Sequence, residues 1–461
     1  MLAPLGAGPA AAADKPFITA VVDDAFLGSD ADTAFNLARS SGATAARIVV
    51  LWSSVAREQP RDPIDPADSA YRWDDVDRAI RLASKDGLQP IVDIVDAPLW
   101  TTPCCNGTPH GWKPDPVAFG EFARAAAARY SGSFADLPRV RYWQAWNEPN
   151  LNIYLKPQWV DTNAFSPDWY RTMVNRFAEA VKSIHPDNLV IAGGTGPFGG
   201  ENDVGPLRFM RDLLCLSRSL QPTCKEKIRF DIWAHHPYTS GGPTHEAAAA
   251  DDVSLGDLPE MRQVLLAGVQ TGSIVSSEPV QFWITEFSWD TNPPDPKAVP
   301  VRLQARWVAE ALYRMWKTDI SLVTWFTLRD EPIDLSFYQS GLFFGAPSLA
   351  AAQPKPAFTA FRFPVVGIPI RFGFLVWGRS PLGNAARVIV EQSFKGGWTR
   401  LAILRPDQFG IFQKSFRRPA TGSVRAQLAG RPDRALAFGL RPVPDQRYNP
   451  FGKTTLDPGG P

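Results

Sequence analysis

The chain has 461 residues, 44% hydrophobic and 21% charged, the composition of a globular protein with room for one large core and a smaller one. Lys and Arg total 48 against 47 Asp and Glu, with no block of like charge, so the electrostatics favour neither nucleic acid nor an anionic membrane. No apolar run approaches a membrane span, and the 16 Trp exceed ordinary use, which suits surfaces that stack on flat apolar faces such as sugar rings.

The first 16 residues lack the basic start of a secretory signal but end in a run of small residues, Ala10 to Ala13. They read either as the tail of a signal peptide, which implies a secreted protein, or as a disordered Ala/Gly/Pro tail. From residue 17 the chain alternates β-rich apolar runs with helical patterns. The strand candidates are 17–22, 45–52, 89–95, 140–146, 189–194, 230–236, 281–286 and 322–327. Helical patterns fill the intervals at 32–40, 73–87, 116–130, 167–184, 206–216, 258–269 and 300–318, with a short one around 357–363. Eight strand–helix pairs make a (β/α)8 TIM barrel, an α/β fold, over residues 17–363. An open doubly wound sheet competes, but no Gly-rich phosphate loop follows any strand. After Pro364 short β-like segments separated by Gly, Pro and Asp turns predict a small all-β sandwich over 364–461, a packing module, a spacer or a carrier of a ligand site.

Four cysteines are present. Cys215 and Cys224 flank a polar turn, and a short disulfide there is expected if the protein is exported. Cys104 and Cys105 are adjacent and could form a vicinal disulfide, pair elsewhere or stay as thiols. Neither pair has zinc spacing, and five His form no ligand array, so no metal and no cofactor is implied.

A barrel concentrates function at the C-terminal ends of its strands. Those ends bring Arg47 and Trp52 from the second strand, Asp93, Asp96 and Trp100 from the third, and Asn147 and Glu148 from the fourth. The sixth adds His235, His236 and Tyr238, the seventh Glu286 with Trp289 beyond, and the eighth Trp325, Arg329 and Asp330. Singly, a strand-end carboxylate is often a helix cap, a Trp often core, and Arg47 a buried ion-pair partner. Together they converge on one face. Strands four and seven lie across the barrel mouth from one another, so Glu148 and Glu286 can face one cleft. Two carboxyls flanking a scissile bond are what glycoside hydrolysis requires. Trp52, Trp100, Trp112, Trp289 and Trp325 are candidate sugar-stacking platforms.

WNEPN at 146–150, HHPY at 235–238 and WITEFSW at 283–289 resemble the signatures of clan A glycoside hydrolases. Within the clan they look most like family 39 and family 5, cellulase-like enzymes, over residues 17–363. The resemblance implies a retaining double displacement on β-glycosidic bonds of oligo- or polysaccharides, with Glu148 as acid/base and Glu286 as nucleophile. It also implies that Asn147 binds a sugar 2-hydroxyl, Arg47 and Tyr238 support the nucleophile, His236 lines the site, and Trp325 floors the −1 subsite. A monomer is expected. Two readings stand beside it: a non-catalytic carbohydrate binder on a glycosidase-like barrel, and a cell-surface interaction protein whose β-domain does the work.

Overall fold

A computed structural model describes residues 15–102, 111–333, 338–394 and 396–448. Cys104, Cys105 and most of the N-terminal tail lie outside them. Eight parallel strands close into a barrel: β1 (Ile18–Val22), β2 (Ala45–Leu51), β3 (Gln89–Val95), β4 (Tyr142–Ala145), β5 (Leu189–Thr195), β6 (Ile232–His235), β7 (Gln281–Phe287) and β8 (Ile320–Phe326). Each pairs with its sequence neighbours, and β1 closes on β8 through Ile18 opposite Leu322. All eight coincide with the strands expected from the sequence, because a run buried on both faces reads as continuous Val, Ile and Ala.

A helix follows every strand: α1 (Ala31–Ser40), α2 (Asp74–Lys85), α3 (Pro116–Arg129), α4 (Ser166–Ile184), α5 (Pro206–Leu213), α6 (Leu258–Gln270), α7 (Val301–Lys317) and α8 (Pro356–Arg362). Their ends follow from local chemistry. Asp115 accepts a hydrogen bond from the Val117 N–H at the start of α3, where Pro116 gives up no needed donor. Helix α2 opens with Asp74, Asp75 and Asp77 and closes with Lys85, each charge matching the nearer end of the helix dipole.

The barrel interior changes character along its axis. Near the N-terminal ends it is filled by Ala20, Ala45, Ile91, Ile191, Ile232 and Trp283, with Tyr142 packed 5.2 Å from the Trp283 ring. One layer higher the same strands point Arg47, Asp93 and Gln144 inward, all fully buried. An apolar plug thus supports a polar layer, and the polar layer faces the mouth.

Beyond α8, seven strands form two antiparallel sheets: β9 (Val365–Ile370), β10 (Gly373–Arg379), β11 (Val388–Phe394), β12 (Gly397–Leu404), β13 (Ile411–Phe416), β14 (Ser423–Leu428) and β15 (Phe438–Gly439). One sheet runs β9-β10-β13 and the other β12-β11-β14-β15. Alternation buries Val388, Val390, Val424 and Ala426 between them. Trp377 of β10 packs against Tyr313 and Trp316 of α7 at 5.6 and 5.7 Å, so the sheets and the barrel share one apolar core. Cys215 and Cys224 are joined by a disulfide just after α5. Among the described residues no helix is long and apolar enough to cross a membrane.

Candidate functional site

The chain leaves β4 by an unusual turn. Trp146 and Glu148 both take positive φ, 74° and 40°, which L side chains rarely adopt, and such strain gathers where surrounding structure over-determines it. Here the Trp146 N–H donates to the Ile94 carbonyl and the Glu148 N–H to the Gly194 carbonyl. Gly194 takes a positive φ of 58°, which strains a side chain, and a Cβ there would press on the Gln144 amide nitrogen at 2.7 Å, the group that donates to the Trp146 carbonyl. The turn swings Glu148 over the barrel mouth, with its side chain 12% exposed.

Glu286, near the end of β7, reaches the same space from the opposite wall, 13% exposed. The Arg47 Nη1 donates to its Oε1 at 2.5 Å and the Tyr238 hydroxyl to its Oε2 at 3.0 Å. Arg47 is the hub of the polar layer. Its Nη2 also donates to Asp93 at 2.7 Å and to the Asn147 side-chain oxygen at 2.8 Å, and its Nε to Gln144 at 3.1 Å. The bond to the Asn147 oxygen leaves that amide's N–H groups, which can only donate, on the side away from Arg47.

His236 stands between the carboxyls. Its Nδ1 lies 3.0 Å from Glu148 Oε1 and 3.8 Å from Glu286 Oε2, which holds those oxygens within about 7 Å of each other. Its Nε2 meets the Thr285 hydroxyl at 2.9 Å. The hydrogen bond to Glu148 works in either polarity: an ionised Glu148 accepts from Nδ1–H, and a protonated one donates to a bare Nδ1.

The two carboxyls are driven apart in acidity. Burial raises Glu148 above the usual carboxylate range, and Glu286 raises it further, while His236 opposes both. Burial pushes Glu286 up as well, but the charges and hydrogen bonds of His236, Arg47 and Tyr238 outweigh it and bring it below the ordinary value. Burial, with Glu286 nearby, keeps the Tyr238 phenol protonated and therefore a donor. Asp93 is pushed up to about 7 by burial despite Arg47, and its Oδ1 has no hydrogen-bond partner among the described residues.

Two cavities meet at Glu286. One, about 260 Å³, is lined by both carboxyls together with Tyr154, Phe198, Trp289 and Tyr448. The other, about 230 Å³, touches Glu286 but not Glu148 and has an acidic wall of Asp23, Asp24 and Glu331. Phe326 and Tyr338 border both.

Of the residues singled out in the sequence, Arg47, Asn147, Glu148, His236, Tyr238 and Glu286 form one connected network, and Trp289 lines the cavity. His235 does not join them. It bonds Thr195 and the Val253 carbonyl, and burial drops it to about 3, so it is a neutral core residue. Trp52 is fully buried against Trp100 and Phe122, on the helical side of its strand, and Trp100 donates to the Ala56 carbonyl. Trp112 forms a backbone bridge with Lys156 and borders neither cavity. Trp325 is also core: its ring packs on Phe287 and Phe361 and its N–H donates to the Ser340 carbonyl. The next residue, Phe326, is the one exposed to the cavity. Gln144 was not expected at the site, although a polar residue inside an apolar strand was the signal available.

A family model described as Cellulase (glycosyl hydrolase family 5) matches residues 13–256, more than half the chain. No curated protein sequence matches. Among solved structures, a family 39 glycoside hydrolase from Bacteroides cellulosilyticus WH2 superposes with TM-score 0.55 at 16% identity, covering 87% of this chain and 81% of the other. A monomeric β-xylosidase from Caulobacter crescentus CB15 gives 0.52 at 16%, covering 83% and 76%. The GH39 enzyme from Xanthomonas axonopodis pv. citri gives 0.52 at 14%, covering 88% and 93%. At these identities the likeness is one of fold.

Proposed function

The chain belongs to the cellulase family, glycosyl hydrolase family 5, and from that premise we propose that it hydrolyses β-glycosidic bonds of oligo- or polysaccharides with retention of configuration. The observation that carries the reading is the pair of carboxyls facing one nitrogen of His236 and pushed to opposite sides of the ordinary range. One carboxyl kept protonated and one kept ionised is the division of labour that acid-assisted glycoside cleavage needs.

In the first step the Glu286 carboxylate attacks the anomeric carbon. The bond from that carbon to the leaving oxygen breaks, and Glu148 delivers its proton to that oxygen. In the second step water attacks the same carbon, the ester to Glu286 breaks, and Glu148 takes the proton back. The His236 bond to Glu148 serves both steps because it holds in either polarity. Asn147 donates to the sugar 2-hydroxyl, while Arg47 and Tyr238 keep Glu286 ionised and aimed. A spacing below about 7 Å accommodates the roughly 5–5.5 Å of a retaining pair better than the 6.5–9.5 Å of an inverting one. Export belongs to the same reading, since the Cys215–Cys224 disulfide suits an oxidising compartment.

Glu148→Ala and Glu286→Ala are each expected to lose a factor of at least about 10²–10⁴ in kcat on aryl β-glycosides. NMR of the wild-type reaction is expected to record the β-anomer as first product. Near-wild-type rates in both variants would refute the assignment, and an initial α-anomer would refute retention.

A further inference from the structure

The cavity that holds both carboxyls is not walled by the barrel alone. After β15 the chain returns to the barrel mouth, and three attachments hold it there. Arg306 of α7 donates to the Gly439 carbonyl at 2.9 Å and to that of Arg441 at 3.2 Å. Asp445 accepts from the Gly242 N–H at 2.8 Å through one oxygen and meets His245 Nδ1 at 2.8 Å through the other. The Tyr448 N–H donates to the Ser240 carbonyl at 2.8 Å. The barrel loop that receives this segment is built for close approach, since a Cβ on Gly242 would lie 3.1 Å from the Trp307 ring. Tyr448 then sits edge-on to Trp307, which packs on Trp289, and Tyr448 and Trp289 both line the cavity.

The side of the scissile bond follows from the two cavities. A general acid must face the oxygen it protonates, so the leaving group occupies the space bordered by Glu148. That is the space lined by Tyr448. The acidic cavity across Glu286 has no contact with Glu148.

We propose that residues 441–448 form a strap completing the leaving-group side of the cleft, and that Tyr448 is a specificity-determining residue contacting the sugar ring that departs. An aromatic ring on this wall favours a carbohydrate leaving group through ring contact. The proposal rests on the glycosidase reading above, and the test separates the two.

The probes are β-D-glucosyl and β-D-xylosyl fluoride, whose leaving group is a single atom, and cello- and xylo-oligosaccharides of two to six units. For Tyr448→Ala, KM on the oligosaccharides is expected to rise about five- to tenfold with the fluorides unchanged. Tyr448→Phe is expected to match the wild type on both, because among the described residues the hydroxyl bonds only Gln446. Asp445→Ala, which releases the strap without altering the ring, is expected to follow Tyr448→Ala. Unchanged oligosaccharide KM in Tyr448→Ala and Asp445→Ala overturns the strap and leaves the glycosidase reading standing. Equal losses on fluorides and oligosaccharides also overturn it, since a purely structural role predicts that pattern. If the wild type hydrolyses nothing, calorimetric binding of the same oligosaccharides decides: weakening in Tyr448→Ala sustains the contact, unchanged affinity overturns it. Absence of both turnover and binding overturns both readings.

Discussion

Glu148 and Glu286 are buried to the same degree, so depth cannot explain why one is held protonated and the other ionised. Neighbours decide it. His236 lowers both, but Glu286 also has Arg47 and Tyr238 bonded to its two oxygens, whereas Glu148 is bonded to His236 and feels Arg47 only at a distance. The sign of the pH dependence follows. Under the proposed mechanism activity requires ionised Glu286, so kcat/KM is expected to rise as pH climbs through a pKa lying below the normal value. It requires protonated Glu148, so the rate falls as pH passes a pKa lying above it. His236 pulls both carboxyls down. In His236→Ala both limbs of the kcat/KM profile are therefore expected to move to higher pH, and limbs that stayed in place would show that His236 does not set this electrostatics. Asn147, Glu148, His236, Tyr238 and Glu286 were legible in the sequence because they lie at or just past strand ends, whereas Arg47, third of the seven residues of β2, sits deeper in the barrel. The indoles were not. A strand end presents a side chain to the mouth or to the helical layer according to its alternation, and a one-residue difference sends Trp325 into the core and Phe326 to the cavity.

At the scale of elements, the return from β8 to α8 depends on one ion pair. The Lys355 ammonium, fully buried, bonds Asp330 at 2.5 Å, the Thr291 hydroxyl at 2.7 Å and the Gln339 carbonyl at 3.0 Å. It ties the segments after β7 and β8 to the start of α8, directly behind Ser340 and the cavity. Removing one partner of a buried pair leaves an uncompensated charge, at a cost of about 3–5 kcal/mol. Lys355→Ala is expected to lower unfolding free energy in urea by that amount, and a loss below about 1 kcal/mol would mean water solvates Asp330. The strands and helices themselves were readable, since apolar runs, capping residues and Gly or basic stops punctuate them one by one. Lys355 gave no such signal: a lone Lys before a Pro looks like a solvated helix start.

Considered whole, the barrel and the two sheets are held together by aromatic contacts. Trp377, fully buried, touches α7 and, at 6.2 Å, Phe17 just before β1. Truncating such a ring costs about 3–5 kcal/mol. Because the core is continuous, Trp377→Ala is expected to shift a single calorimetric transition downward as a unit; separation into two peaks would mean the sheets melt on their own. The sheets were legible from short alternating segments. Their engagement with the barrel was not, because contacts between residues from about sixty to several hundred positions apart leave no local periodicity. Tyr448 is the sharpest instance, an aromatic in a polar Pro-rich stretch that nothing nearby connects to Glu148.

That distance in sequence has a consequence during synthesis. All eight barrel strands have emerged by Phe326, and with them every member of the Arg47 network. When synthesis reaches Phe326 both carboxyls and the residues bonded to them have been made, while Tyr338, Ser340 and Tyr448 on the cavity wall are still untranslated. If the proposed roles hold, translation supplies the groups for bond cleavage first and the contact that selects the departing sugar more than a hundred residues later.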